Sequence, residues 1–370
     1  MGLILNILPN LRGGGAERVA INLAHAWTRL GHQVEFVLME SSGELLEDVR
    51  ASFTIHDLNA SRIRQVPSQL INLLRNRQAN VTHVHMAPLT SASIISWQLA
   101  GKPGTIFSAD HTNLHVSCAL EMKLNPFYLR FLLRATYPLA TGLIAVSEGV
   151  KQDLCRLGGF ADERVTVIYN PVVLGLVNPT PVEAAVRQQL WGPGFNHHVL
   201  AVGSFKLQKN FPLLLQAFAL LPHSLNAKLT ILGEGLLRSE LEGLIFELGL
   251  SGRVALPGFA LDPSPWFLSA DLFVLSSGWE GFGNVIVEAL ECGVPVVSTD
   301  CPFGPAEILD NGRYGRLTPV GDATALASSM QASLLESHDH EALRCRAQDF
   351  AVPKIADQYL AYFRSLGAQI

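Results

Sequence analysis

The sequence predicts an α/β protein built as two doubly wound domains facing one another. Three observations carry this. Short apolar runs recur along the chain, each followed by a glycine-rich or polar loop and then a stretch with helical apolar spacing. The series breaks at residues 172–196, rich in proline and glycine and without clear pattern, and restarts at His198. A length of 370 residues suits two domains better than one. The expected division is residues 1–171, a linker region 172–196, a second domain 197–350 and a last segment 351–370.

Composition narrows the class. With 48% hydrophobic and 16% charged residues the chain has ample core and no disordered character. It has no run of 18 or more apolar residues, so no membrane span is expected. Residues 1–8 lack a basic lead-in and a cleavage site and read as a first strand, not a signal peptide. Cysteines 118, 155, 292, 301 and 345 are odd in number and form no C-x-x-C, which suits reduced thiols in a cytosolic protein and no zinc site. Residues 1–170 hold 15 Lys+Arg against 13 Asp+Glu, and residues 171–370 hold 12 against 19. That imbalance is too weak for nucleic acid, but it leaves room for an anionic partner on the first half.

Taken in order, Leu3–Leu8 is a short apolar strand, followed by Gly13, Gly14 and Gly15, a helical pattern over 19–27, and a second strand over 33–39. A dinucleotide fingerprint with Glu40 as its ribose acid is rejected. Gly13-x-Gly15-x-x-Arg18 lacks the third glycine, and the loop from Leu8 is too long for that turn. The glycines fit a loop whose amides approach an anion at a helix start, or else a plain surface loop. Residues 59–78 read as a polar helix with Arg62, Arg64, Arg75 and Arg77 on a solvated face. Residues 81–85, with His83 and His85, have a buried-strand pattern, and residues 91–99 read as a helix. The strand over 104–109 ends in Asp110-His111-Thr112-Asn113. Ligands of parallel sheets gather at strand carboxyl ends, so His111 is better placed than the other histidines; a structural histidine is the alternative.

Residues 123–139 mix aromatics, leucines and Lys123, Arg130 and Arg134. They fit a helix resting on an anionic membrane surface, or a core-facing helix with its arginines extended toward water. A strand over 142–147, a helix from Glu148 and a strand over 165–169 close the first half. The second half opens with a strand over 198–203 and the loop Ser204-Phe-Lys206-Leu-Gln-Lys209-Asn210. A helix over 211–221 follows, then a strand over 228–232 that ends in Gly233-Glu-Gly235. Next come an amphipathic helix to 248, a strand and turn through Gly258-Phe259, a short helix over 264–269 and a strand over 272–276.

That strand leads to Glu280-Gly281-Phe282-Gly283-Asn284-Val285, and then Glu288. Asn284 is expected to cap the next helix and Gly293 to end it. Eight residues along a helix would separate the two carboxylates by about 12 Å on poorly aligned faces. With Glu280 in the loop and Glu288 just over one turn into the helix, both can face a ligand over the helix N-terminus, which suits phosphate. Alternatively both glutamates are merely solvated, although the glycines flanking Phe282 let backbone approach a ligand closely.

The E-x7-E pair, in the setting E-G-F-G-N-V-x-V-E-A-L-x-C-G-x-P-V-V-S-T-D, resembles the retaining, nucleotide-sugar-dependent glycosyltransferases of family 4. Gly13 to Arg18, His111, Val202 to Asn210, Gly233-Glu-Gly235, Pro257-Gly-Phe259 and the segment from Asp300 to Leu309 resemble further parts of that family in order and spacing. The resemblance spans nearly the whole chain and is similar to bacterial enzymes of surface-polysaccharide or lipid-linked oligosaccharide synthesis. It implies a GT-B fold of two Rossmann-like domains. The first would bind the acceptor and the second the nucleotide sugar, with the segment 351–370 returning as a helix to the first.

The resemblance also assigns roles. Lys209 would bind the donor diphosphate, Glu280 the hydroxyls of the transferred sugar, and Glu288 the ribose. His111 would orient the donor sugar. Gly14, Gly15, Ser204, Lys206, Gly233, Gly235, Gly258, Phe259 and the backbone of Gly281, Phe282, Gly283, Asn284 and Val285 would line the donor. Arg18 and Asn113 would lie on the acceptor side. Ser204 departs from the family, which often has arginine there, and Lys206 is its candidate substitute. The implied donor is a UDP-sugar rather than a GDP-sugar, with no cofactor and no metal required. The implied acceptor is a glycan or a polyprenyl-diphosphate-linked glycan at the inner face of the cytoplasmic membrane. Domain closure over the donor would exclude water. A nucleotide-sugar epimerase and a non-catalytic partner subunit of the same fold are the alternatives.

Overall fold

The structure, a computed structural model, describes residues 1–120, 125–175 and 184–370. In chain order its elements begin with β1 (Leu3–Leu8), α1 (Gly15–Arg29), β2 (Gln33–Leu38), α2 (Leu46–Ser52), β3 (Thr54–Asp57), α3 (Val66–Arg77) and β4 (Val81–His85). They continue through α4 (Leu89–Leu99), β5 (Thr105–Asp110), α5 (Leu114–Leu120), α6 (Pro126–Thr136), β6 (Gly142–Ala145), α7 (Glu148–Gly158) and β7 (Val165–Val167). The second series is α8 (Ala184–Trp191), β8 (His197–Val202), α9 (Phe211–Ala219), β9 (Ala227–Leu232), α10 (Arg238–Glu247), β10 (Val254–Gly258) and α11 (Ser264–Ser269). It ends with β11 (Leu272–Leu275), α12 (Asn284–Glu291), β12 (Val296–Thr299), α13 (Pro305–Ile308), β13 (Arg316–Thr318), α14 (Ala323–Leu335) and α15 (His340–Ala347), before a last helix, α16 (Val352–Ser365).

The chain divides into two compact units, Met1–Val172 with Phe350–Ile370, and Val173–Asp349. In the first, seven strands run in the order β3-β2-β1-β4-β5-β6-β7. In the second, six run β10-β9-β8-β11-β12-β13. Every pairing is parallel. This is the doubly wound arrangement, and it explains the near-continuous apolar runs of strands covered on both faces. In each sheet the winding reverses once, between β1 and β4 and between β8 and β11. The loops leaving those strands part there and leave a crevice at the carboxyl edge, where such folds bind ligands.

The last helix belongs to the first unit. Its apolar residues Val352, Ile355, Ala356, Tyr359, Leu360 and Phe363 fall at helical spacing and are all buried, in the same core as Trp27 and Phe107. Phe363 lies 4.4 Å from Phe107 between ring centroids, and Trp27 Nε1 donates to the Ala356 carbonyl at 3.3 Å. Burying each large side chain contributes about 1.5–3 kcal/mol. The second core gathers one face of α9, α10 and α14 on β8, β9 and β11.

Two local readings change. Residues 172–196 hold more order than their composition suggests: α8 lies there, and residues 176–183 fall outside the described residues. Its anchors are long-range. Trp191 is buried and donates to Ser269 Oγ at 2.8 Å, and Arg187 pairs with Asp271 at 2.8 Å. Nor does Asn284 cap α12. Gly283, at φ 104°, is the N-cap residue, and Asn284 is the first helical residue. Gly293 ends that helix as expected, at φ 74°. Its N–H donates to Leu290 O at 2.9 Å and that of Val294 to Ala289 O at 2.9 Å, a Schellman closure.

Candidate active site

In the second unit the crevice of the sheet is formed by the loops after β8 and β11. The β8 loop carries Gln208 and Lys209, and the β11 loop carries Ser277 and Glu280. Backbone ties lock them together. Gly278 N donates to Gln208 O at 2.8 Å, and Ser276 Oγ donates to Lys209 O at 2.8 Å. The loop after β12 closes on the same point, with Glu280 N donating to Pro302 O at 2.8 Å and Phe303 N to Glu280 O at 3.2 Å. Gly304, at φ 95°, makes that closure feasible, because a Cβ there would stand 1.9 Å from the Phe282 carbonyl oxygen.

The Glu280 carboxylate is the centre of this arrangement. Its side chain is 7% exposed, and it pairs with Lys209 Nζ at 2.6 Å, the lysine being 14% exposed. Ser277 Oγ donates to the same oxygen, Oε1, at 2.6 Å, and Gln208 Nε2 donates to Oε2 at 3.2 Å. Three donors, one of them charged, fix an almost fully buried anion. Cys301 is buried beside it, and its thiol is held well above the ordinary range, first by burial and then by the Glu280 charge. Glu288 lies half-buried on α12, four residues past its start. One residue before Cys292, Glu291 is pushed up to about 7, chiefly by burial and further by the Glu288 charge.

The neighbouring loops are set by glycines. A Cβ on Gly233 would lie 1.9 Å from Gly203 O, and one on Gly235 would lie 2.6 Å from Phe205 O, so the β8 and β9 loops approach as bare backbone. Gly258 O accepts from Gly233 N at 2.9 Å, which brings the end of β10 alongside. Phe259 is exposed, as are Ser204 and Lys206. Gly281, Phe282 and Gly283 are buried, and Asn284 and Val285 are half-buried at the start of α12.

The remaining expected residues lie in the first unit. Gly14 is the N-cap residue of α1, and the Glu17 carboxylate lies over it, 2.5 Å from where a Gly14 Cβ would stand. Gly15 is exposed and Arg18 half-buried in the first turn. Asn113 is buried, and its Oδ1 accepts from Val116 N at 3.0 Å, capping α5. His111, just past β5, forms a 3.0 Å hydrogen bond through Nε2 to Nδ1 of His85. Burial pushes His111 down to about 4 and His83 down to about 3, and it holds His85 well below its ordinary value. All three are therefore neutral at pH 7. Asp110, fully buried, is pushed up to about 7 by burial, against a 2.9 Å hydrogen bond from the Tyr137 hydroxyl.

Sequence reasoning missed Gln208, Ser277 and His85. Gln208 directly precedes Lys209, and Ser277 is one helical turn's distance in sequence before Glu280, but neither position signals its partner. Among the described residues no group of three or more His, Cys, Asp or Glu side chains is arranged to hold a metal ion. No helix among them is long and apolar enough to cross a membrane.

Comparison with known proteins gives the family. Residues 13–175 match the family model described as Glycosyltransferase Family 4, and residues 196–336 match Glycosyl transferases group 1. The chain is 30% identical over 247 residues to the N-acetylgalactosamine-N,N'-diacetylbacillosaminyl-diphospho-undecaprenol 4-alpha-N-acetylgalactosaminyltransferase of Campylobacter jejuni, covering 66% of this chain and 65% of that protein. It is 34% identical over 189 residues to the lipopolysaccharide core biosynthesis glycosyltransferase LpsE of Rhizobium meliloti, covering 50% of this chain and 54% of that one. The matches thus span about two thirds and about half of those relatives' lengths. In fold it is similar to Anabaena Alr3699/HepE, solved in complex with UDP and glucose, at a TM-score of 0.83 and 20% identity over 99% of this chain and 100% of the other. With a family model matched in each half, on two parallel-sheet domains of GT-B type, the chain belongs to the family 4 glycosyltransferases.

Proposed function

We propose that the chain moves a hexose or N-acetylhexosamine from a UDP-sugar to a glycan or polyprenyl-diphosphate-linked glycan, with retention of configuration. The observation that carries the donor side is the buried Lys209–Glu280 pair at the crevice of the second sheet, beside the start of α12. The names of two similar proteins favour the same chemistry. The Campylobacter relative is a sugar transferase for a diphospho-undecaprenol-linked substrate, and the Anabaena protein was solved with UDP and glucose.

In this reading Lys209 is shared between Glu280 and the donor diphosphate, and offsets charge as UDP departs. Glu280 accepts from hydroxyls of the transferred sugar. The amino end of α12, with the Gly281–Val285 backbone, favours phosphate through its dipole. Glu288 accepts from the ribose, while Gly233, Gly235, Gly258 and Phe259 line the nucleotide and Lys206 adds charge beside Ser204. In the first unit Gly14, Gly15 and His111 serve the donor, and Arg18 and Asn113 serve the acceptor. The bond from the anomeric carbon to the UDP phosphate oxygen breaks, its electron pair leaving with UDP. The acceptor oxygen bonds on the same face and its proton passes to the departing phosphate. A sugar trapped covalently on Glu280 would contradict this course.

The reading places the protein at the inner face of the cytoplasmic membrane. Its support is α6, where Phe127 is 79%, Phe131 68% and Tyr128 54% exposed, next to exposed Arg130 and Arg134. Lys123, the third basic residue expected there, lies outside the described residues. Aromatic and basic side chains on one exposed helix suit an anionic lipid surface. Vesicles with and without anionic lipid test it: sedimentation with the anionic ones should fall in Phe127→Ser/Phe131→Ser. Equal sedimentation of both proteins removes that part of the proposal.

The donor site is tested by calorimetric titration with UDP and with GDP. UDP should bind more tightly than GDP, and Glu288→Ala should weaken UDP. Binding of neither nucleotide, or UDP binding untouched by Glu288→Ala, counts against the assignment.

A further inference from the structure

We propose that His85 is a positioning residue for His111, holding the plane of that imidazole at the carboxyl edge of the first sheet and tying its tautomer to its own. The inference rests on the reading that His111 serves sugar transfer, and it adds a residue that reading does not contain.

The strand period places His83 and His85 on one face of β4. His85 is in register with Ala109 of β5, so His111, two residues further, comes over it as the chain leaves the sheet. The rings lie 5.2 Å apart at 26°, and His85 Nδ1 and His111 Nε2 are 3.0 Å apart. His85 is fully buried, and behind it stands His83, 4.2 Å away between centroids and bonded through Nδ1 to Asn6 Oδ1 at 3.1 Å. In a buried neutral pair one proton lies across such a contact, so the bond gives both rings the same tautomer: Nδ1–H on both when His85 donates, Nε2–H on both when His111 donates. The other ring nitrogens, His85 Nε2 and His111 Nδ1, are buried and have no hydrogen-bond partner among the described residues. The bond to His85 is therefore what orients His111.

The test uses the full chain with ¹⁵N-labelled histidine. In the wild type at pH 7, His85 and His111 should both be neutral and show the same tautomer. His85→Phe removes the hydrogen bond and should convert the His111 signal to an average of tautomers. His85→Asn, whose amide stands where Nδ1 stood, should keep it. UDP released from a panel of UDP-sugars in the presence of polyprenyl-diphosphate-linked glycans is read in parallel. Turnover should fall about 10–100-fold in His85→Phe, with a smaller change in donor KM, and return to within about threefold of wild type in His85→Asn. Different tautomers on His85 and His111 in the wild type, or an unchanged His111 signal in His85→Phe, overturns the proposal. So does an Asn variant as slow as the Phe variant, since a purely structural role would give that. The wild-type spectrum decides the matter even if His85→Phe fails to fold. Wild-type turnover in His111→Ala would instead sink the role given to His111, while the tautomer result would still judge His85.

Discussion

Replacing Lys209 by Met leaves the Glu280 carboxylate buried without its counter-charge. The structure sets the size of the effect. Both side chains are nearly excluded from water, at 14% and 7% exposure, and Nζ lies 2.6 Å from Oε1. Removing one member of such a pair costs about 3–5 kcal/mol, because the remaining charge stays desolvated. Ser277 and Gln208 still donate to the carboxylate, so the lower end, about 3 kcal/mol, is expected. Adding Glu280→Gln removes the stranded charge and should restore most of that loss, giving a coupling of about 2 kcal/mol or more in a double-mutant cycle. The assay is urea unfolding of the four proteins without nucleotide, followed by tryptophan fluorescence, with Trp191, Trp266 and Trp279 reporting from the second unit. A Lys209→Met cost under about 1 kcal/mol, or additive single changes, would refute the view that this pair is desolvated and mutually dependent.

Other expectations follow from single features. Asp110 binds its proton more tightly in the folded state, its pKa rising from 3.8 to about 7. Stability from this group is therefore full below about pH 4, lost as pH rises to about 7, and flat beyond, a change of about 4 kcal/mol. Asp110→Asn keeps the acceptor for Tyr137 and should abolish that loss in denaturant titrations at pH 4.5 and 7.5; parallel pH dependence of the two proteins would speak against it. Gly304→Ala sets a Cβ 1.9 Å from Phe282 O at φ 95°, whereas Gly321→Ala, at φ 84°, meets nothing within 4 Å. The first should therefore lower the melting temperature clearly more than the second, which costs only the strain of a left-handed alanine, about 1–2 kcal/mol. Glu280→Ala should mainly lower kcat and Glu288→Ala mainly raise the donor KM; equal effects of both changes on both parameters would erase that division of labour.

Much of the fold was legible because the strands announce themselves. β6 and β11 lie inside sheets covered on both faces and are buried at every residue, so their runs Gly-Leu-Ile-Ala and Leu-Phe-Val-Leu are unbroken by the alternation an exposed face imposes. The helix α8 was not legible, because its stability comes from Trp191 and Arg187 meeting Ser269 and Asp271, some 80 residues on. Residue preference alone points to Asn284 as the cap. The left-handed φ of 104° at the position before it requires glycine, and that overrides the preference. The site was legible in type but not in assembly. Glu280 and Lys209 stood out as residues, yet their pairing spans 71 positions and depends on which strands are neighbours at the switch point. For the same reason Gln208 and Ser277, which hold Glu280, carried no signal, and His85 looked like any strand histidine until the register placed it beneath His111.

We propose that the second unit binds a UDP-sugar whose sugar is transferred at Glu280. The most direct measurement is transfer from a panel of UDP-sugars to polyprenyl-diphosphate-linked glycans, following released UDP and the mass of the lipid product in wild type and Glu280→Ala. The account predicts one UDP-sugar consumed only when acceptor is present, a product heavier by one sugar with the donor's anomeric configuration, and a large drop in turnover for Glu280→Ala. It is contradicted if no donor is turned over with any acceptor while Glu280→Ala leaves nucleotide-sugar binding unchanged.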